Sequence, residues 1–160
     1  MEKKRYKKKI IIINGPNINL IGIREVKIYG KKKIKEYLNN LKKLYFKKKI
    51  KIKIYFLNSE SKIIKLLQII KNKNINKNIL GIIINAGAYS HTSLVISDTL
   101  KYIKKYINII EVHVSNIFKR EQIRHKSYIS SNCIGIIIGL GLSVYNLGIL
   151  SLINFKKKIF

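Results

Sequence analysis

"IIINGPNINLIGIREVKIYG", residues 11–30, sets the reading of the chain. An unbroken isoleucine run starting at Ile10 stops at Asn14, and a glycine, the one proline and Asn17 follow at once. A short run apolar at every position suits a strand buried on both faces, with helices above and below it. Residues 15–30 then read as a polar, glycine-punctuated loop at the carboxyl end of that strand.

The same alternation recurs outward from this stretch. Lys31–Tyr45 places Ile34, Tyr37, Leu38, Leu41, Leu44 and Tyr45 on one helical stripe, with lysines opposite. Ile50–Leu57 alternates isoleucine with lysine and reads as a less buried strand. Asn58-Ser59 suits the cap of a helix that buries Ile63, Ile64, Leu66, Leu67 and Ile70. Leu80–Asn85 is a third strand, and a helix follows from about Thr92 to Tyr106 with Leu94, Val95, Leu100 and Ile103 as its apolar positions. Ile107–Val114 and Ile134–Ile138 are further strands, and Leu142–Asn154 is a closing helix. Five strand–helix alternations predict an α/β doubly wound sheet, mostly parallel, with right-handed crossovers. Such sheets carry their sites outside the carboxyl ends of the strands.

Composition bounds the rest. At 160 residues the chain is expected to form a single domain over 1–160, with basic tails at 1–9 and 156–160. Its 47% hydrophobic content excludes disorder throughout. No apolar run approaches the ~18 residues that span a bilayer, and the apolar run after the basic start is too short for a signal peptide. The expectation is a soluble, cytoplasmic protein without a membrane partner. Cys133 alone excludes an intrachain disulfide and provides no metal-site spacing. Thirty-four basic against seven acidic residues give a net charge of +27, but the lysines are scattered along the whole chain. No specific nucleic-acid partner is expected from such a bias without a motif.

Against that background the rare residues cluster behind strand ends. Asn14-Gly15-Pro16-Asn17 has neither a phosphate-loop nor a dinucleotide-binding pattern, and a strand-ending turn is its plain reading. Arg24 and Tyr29 share the next loop. A phenol titrates near ~10 in water and serves as a base only where a cation favours phenolate, which a nearby arginine supplies. The plain reading of Tyr29 is one more packed aromatic. "NAGAYSHTS" (85–93) puts Asn85 at a strand end and His91 at the start of a helix, whose terminus would disfavour the imidazolium. A polar group opening a helix is the plain alternative. In "EVHVSN" (111–116), strand alternation sets Glu111, His113 and Ser115 on one side and Val112 and Val114 on the other. A carboxylate two positions before a histidine holds the ring in one tautomer, as a general acid requires; a polar strand edge is the alternative. In "KREQIRH" (119–125), Arg120 and Arg124 share a face if helical and suit an anionic, hydroxylated small molecule, or are simply solvated.

Taken together, these segments resemble type II 3-dehydroquinate dehydratase. The resemblance runs in order from about Ile10 to Ser151, through "NGPNINLIGIREVKIYG", "NSE" (58–60), "GIIINAGAYSHTS", "IEVHVSNIFKREQIRHKSYIS" and "GIIIGLG" (135–141). Val26 stands where the family usually has proline. The resemblance implies a flavodoxin-like three-layer fold with a five-stranded parallel sheet. It also implies trans-dehydration of 3-dehydroquinate to 3-dehydroshikimate through an enolate, with neither metal nor Schiff base, as a step of the shikimate route. Carried over residue by residue, Tyr29 is the base and Arg24 lowers its pKa. His113, held by Glu111, is the general acid, and Asn17 helps hold a water at the enolate oxygen. Asn85 and Ser115, with backbone N–H groups near Val114, bind the carboxylate; His91 and Arg124 bind ring hydroxyls; Arg120 closes over the site with the 18–30 loop. Asp98 matches a position that reaches a neighbouring subunit, and the family assembles as dodecamers. A polyanion-binding module and an inactive scaffold of the same fold are the competing readings.

Overall fold

The computed structural model describes residues 8–23, 32–73 and 78–155. Its strands are β1 (Lys8–Asn14), β2 (Ile50–Phe56), β3 (Ile79–Asn85), β4 (Ile109–His113) and β5 (Gly135–Ile138). The helices are α1 (Ile34–Lys47), α2 (Glu60–Lys73), the single turn α3 (Tyr89–Thr92), α4 (Leu94–Ile103) and α5 (Ser143–Asn154). All strand pairings are parallel, in the order β2-β1-β3-β4-β5. This is the five-stranded flavodoxin-like sheet, and its order reverses between β1 and β3.

The isoleucine runs explain the layering. Along β1 the side chains alternate between faces: Ile10 and Ile12 pack with α1 and α5, while Ile11 and Ile13 pack with α2 and α4. Both faces need apolar residues, so the buried run Ile10–Ile13 is apolar at every position; each fully buried isoleucine contributes roughly 1.5–3 kcal/mol. Edge strand β2 buries Ile52 and turns Lys53 outward, and lysines along such an edge discourage pairing with another chain. The strand is less buried than β1, as its alternation predicted.

The helices follow the 3.6-residue period with two departures from the sequence reading. In α1, Ile34, Leu38, Leu41 and Tyr45 are buried, but Leu44 is turned to solvent. In α4 the buried stripe is Ile96, Leu100 and Ile103, whereas Leu94 and Val95 are exposed. The cause is Ser93, which is extended and interrupts the predicted helix. Its hydroxyl accepts from the Ile96 N–H at 2.9 Å and starts a new helix there. Such a cap stabilises a helix by about 1 kcal/mol. Its placement rotates Leu94 and Val95 away from the core.

The register then assembles one sheet edge. Asn14 lies beside Asn85 across β1 and β3, and His113 ends β4 opposite Ile138. The two loops leaving β1 and β3 run close together, and the Gly15 N–H donates to the Asn85 carbonyl at 2.8 Å. A Cβ on Gly15 would lie 2.2 Å from the Ala86 oxygen, so a side chain there would push the loops apart.

Candidate active site

The loops after β1, β3 and β4 enclose a cleft of about 240 Å³ at the switch point of the sheet. Among the residues expected there, Asn17, Asn85, His91, His113, Val114, Ser115, Arg120 and Arg124 all line it. Glu111 lies directly beneath, fully buried and bonded to His113. Arg24 and Tyr29 lie outside the described residues. Asp98 is not in this cleft: it is exposed on α4, beside Lys71 and Tyr102.

The β1 loop enters with Asn17 in the left-handed region (φ 66°), a conformation asparagine tolerates well. Beneath it a buried network spans the sheet edge. The Tyr145 hydroxyl on α5 donates to Asn14 Oδ1 at 2.6 Å and accepts from Asn85 Nδ2 at 3.0 Å. Asn14 also donates to the Tyr55 carbonyl, and Asn85 Oδ1 accepts from the Gly87 N–H. Each amide is therefore held from two sides, and Asn85 presents its remaining capacity to the cleft. Burial pushes the Tyr145 phenol far above its ordinary pKa, so it stays neutral. Sequence reasoning missed Tyr145 as a part of the site.

Strand alternation places the β4 pair as predicted. Val112 and Val114 join the α1/α5 core, while Glu111 and His113 take the other side. Glu111 is no polar strand edge, since it has no exposure at all. Its Oε1 accepts from His113 Nε2 at 2.7 Å and from Ser127 Oγ at 2.8 Å, and its Oε2 accepts from Ser130 Oγ. Burial pushes the Glu111 carboxyl up, but the bonds from His113, Ser130 and Ser127 outweigh it and hold the pKa below the ordinary value. The carboxylate is thus ionised and can only accept, so His113 carries its proton on Nε2. Ser127 and Ser130 were not singled out in the sequence.

His91 lies against this pair, its ring stacked on His113 with centroids 5.7 Å apart. Its Nδ1–H donates to the Lys126 carbonyl at 2.8 Å, which leaves Nε2 as an acceptor. Its pKa lies below the ordinary value chiefly because it is buried. The Lys126 bond opposes this, and the charges of His113 and Arg124 add to it. The helix expected to open at His91 is the single turn α3.

Arg120 and Arg124 do share the cleft, but not as one helical face. They sit on a loop of two 3-10 turns, Ile117–Lys119 and Gln122–Arg124. Arg124 Nε donates to Glu121 Oε2 at 2.8 Å, which steadies the loop. Two guanidiniums therefore face two histidines and two asparagines, an arrangement suited to a small anion rich in hydroxyls. Among the described residues no group of three or more His, Cys, Asp or Glu side chains gathers as metal ligands would.

Comparison with known proteins accounts for this arrangement. The family model described as dehydroquinase class II matches residues 8–153. A 3-dehydroquinate dehydratase from Prochlorococcus marinus (strain MIT 9515) is 42% identical over 148 residues, covering 92% of this chain and 97% of its own. One from Endomicrobium trichonymphae is 46% identical over 138 residues, covering 86% and 92%. The crystal structure of type II dehydroquinase from Butyrivibrio crossotus DSM 2876 superposes with a TM-score of 0.84 at 39% identity, covering 92% of this chain and 98% of that one. Since the match spans every strand and every loop that builds the cleft, the chain belongs to the class II dehydroquinase family.

Proposed function

We propose that the protein is a hydro-lyase that dehydrates 3-dehydroquinate to 3-dehydroshikimate in the shikimate route, by trans-elimination through an enolate. The observation that carries this reading is the buried Glu111–His113 pair, whose histidine lines a cleft shared with Asn85, His91, Ser115 and Arg124. These residues come from separated segments, and the fold gathers them around one cleft.

In this reading Tyr29, activated by Arg24, removes the proton beside the ketone. His113 then protonates the departing hydroxyl, with its ring orientation set by Glu111. Asn17 helps hold a water at the enolate oxygen, where negative charge develops. Asn85, Ser115 and backbone near Val114 bind the substrate carboxylate, His91 and Arg124 bind ring hydroxyls, and Arg120 closes over the bound molecule. The single domain works without a metal or an organic cofactor in this scheme. The decisive experiment adds 3-dehydroquinate to the purified protein and follows absorbance of the enone product. Absence of turnover, with steeply salt-dependent polyanion binding instead, would favour the binding-module reading.

The active form is proposed to be a cytoplasmic dodecamer in which Asp98 reaches a neighbour's cleft. Two observations support assembly. Asp98 is exposed on α4 beside the exposed apolar residues Leu94 and Val95. Residues 127–155 carry no charged side chain, although the chain has 34 lysines and arginines. Ile134, Ile136, Leu140, Leu147 and Leu150 within that stretch are exposed. Copies each carrying +27 can approach at such a face with least repulsion. No described helix is long and apolar enough to cross a membrane.

A further inference from the structure

We infer that the segment Lys126–Ser130 fixes the proton positions of both cleft histidines, and that Ser127 and Ser130 are positioning residues for His113 acting through Glu111. The segment itself is firmly anchored. The Tyr128 N–H donates to the Ser90 carbonyl at 2.8 Å, Ser97 Oγ donates to the Tyr128 carbonyl at 2.7 Å, and Ile129 is wholly buried in the α2/α4 core. From that anchored backbone, one group reaches His91 and two reach Glu111 beside His113. The Lys126 carbonyl takes the Nδ1 proton of His91, and the hydroxyls of Ser127 and Ser130 occupy Glu111.

The two rings are consequently set in opposite senses. His91 holds its proton on Nδ1 and offers a lone pair at Nε2. His113 holds a proton on Nε2 and has Nδ1 left for other partners. The serines matter because a carboxylate with one partner is free to turn, whereas Glu111 has donors on both oxygens. They matter also because it has no contact with solvent. Without the hydroxyls, His113 would be its one remaining side-chain donor among the described residues, and burial would favour its protonated form. A protonated Glu111 would donate to Nε2 and move the ring proton of neutral His113 to Nδ1. Among the described residues, the other titratable or charged groups around the pair are His91, stacked on His113, Arg120 and Arg124 in the cleft and Cys133 behind Glu111.

The role of His113 as general acid rests on the dehydratase reading; the clamp on its ring does not. The test is nitrogen-15 NMR of histidine-labelled protein, read together with steady-state kinetics. In the Ser127→Ala/Ser130→Ala variant, His113 should lose its fixed Nε2–H pattern while His91 keeps its Nδ1–H, because the Lys126 carbonyl is untouched. With the general acid misaligned, kcat should fall about tenfold or more with KM nearly unchanged. Ser130→Thr, which keeps the hydroxyl, should retain both the imidazole pattern and the rate. An unchanged His113 pattern would overturn the inference. So would a joint shift of both histidines, since it would mean the serines merely support the segment. If the double variant does not fold, each single serine-to-alanine variant is read by the same criteria. Should the wild-type protein fail to dehydrate 3-dehydroquinate, the imidazole signals still decide the clamp.

Discussion

Replacing Tyr145 by phenylalanine removes one oxygen atom from the floor of the cleft. That oxygen is both a donor and an acceptor, giving 2.6 Å to Asn14 Oδ1 and taking 3.0 Å from Asn85 Nδ2. The aromatic ring remains, fully buried, so no core volume beyond the hydroxyl is lost. What changes is that two buried amide groups lose a partner in a place water does not reach. Orphaning a buried polar group costs about 1–3 kcal/mol, and the two amides can partly relax toward each other. A net loss of about 2–4 kcal/mol follows, which in a domain of this size lowers Tm by about 2–4 °C per kcal/mol, hence roughly 5–15 °C.

The functional consequence is separable from the structural one. Among the described residues, Asn14 keeps its bond to the Tyr55 carbonyl, but the Asn85 side chain keeps only the Gly87 N–H at 3.3 Å, so its amide gains freedom to rotate. If Asn85 binds the substrate carboxylate, KM should rise about fivefold, equivalent to ~1 kcal/mol, while kcat changes little. Calorimetry and enone-absorbance kinetics on the same preparation measure both quantities. A Tm within about 2 °C of the wild type, together with an unchanged KM, would refute the claim that this hydroxyl organises the cleft.

Tyr29→Phe should fold normally and lose most of its turnover, since it retains the ring without the proton acceptor; near-normal kcat would remove Tyr29 as the base. Arg24→Ala should lower kcat and move the onset of activity to higher pH, and a pH profile that falls in height without shifting would deny its pKa-lowering role. Glu111→Gln should narrow its stability deficit relative to wild type on acidification. The folded-state pKa of Glu111 is depressed below its unfolded value near 4.5, so its stabilising contribution is present above that pH and is lost as pH falls through the folded value. Denaturant midpoints at pH 7 and near pH 3 compare the two, and a deficit independent of pH would contradict an ionised Glu111. The proposed dodecamer should weaken at low ionic strength, because salt screens repulsion between +27 subunits over a Debye length of about 10 Å at 0.1 M; light scattering and specific activity should fall together, and a fully active monomer would refute both the assembly and the part given to Asp98.

What could be read in the sequence was what local pattern determines. The isoleucine runs of β1 and β3 and the lysine alternation of β2 announce buried and edge strands, and the sheet order then places the rare residues on one edge. Glu111 and His113 were legible because two positions along a strand share a side. Their partners were not, for a physical reason: Ser127 and Ser130 lie 16 and 19 residues away in an irregular loop, and Tyr145 meets Asn14 across 131 residues. Serine, tyrosine and asparagine recur along the chain, and no periodicity links these particular ones. Arg120 and Arg124 show the intermediate case, where a spacing of four suggested a helix and the loop reaches the same cleft through two tight turns. Leu94 and Val95 show the opposite error: they are apolar, yet the Ser93 cap turns them outward. The side chains that gather at the strand ends could therefore be found from the chain itself. The groups that hold them in one orientation depend on tertiary closure, and there a single hydroxyl such as that of Tyr145 or Ser130 decides whether the site is rigid or merely present.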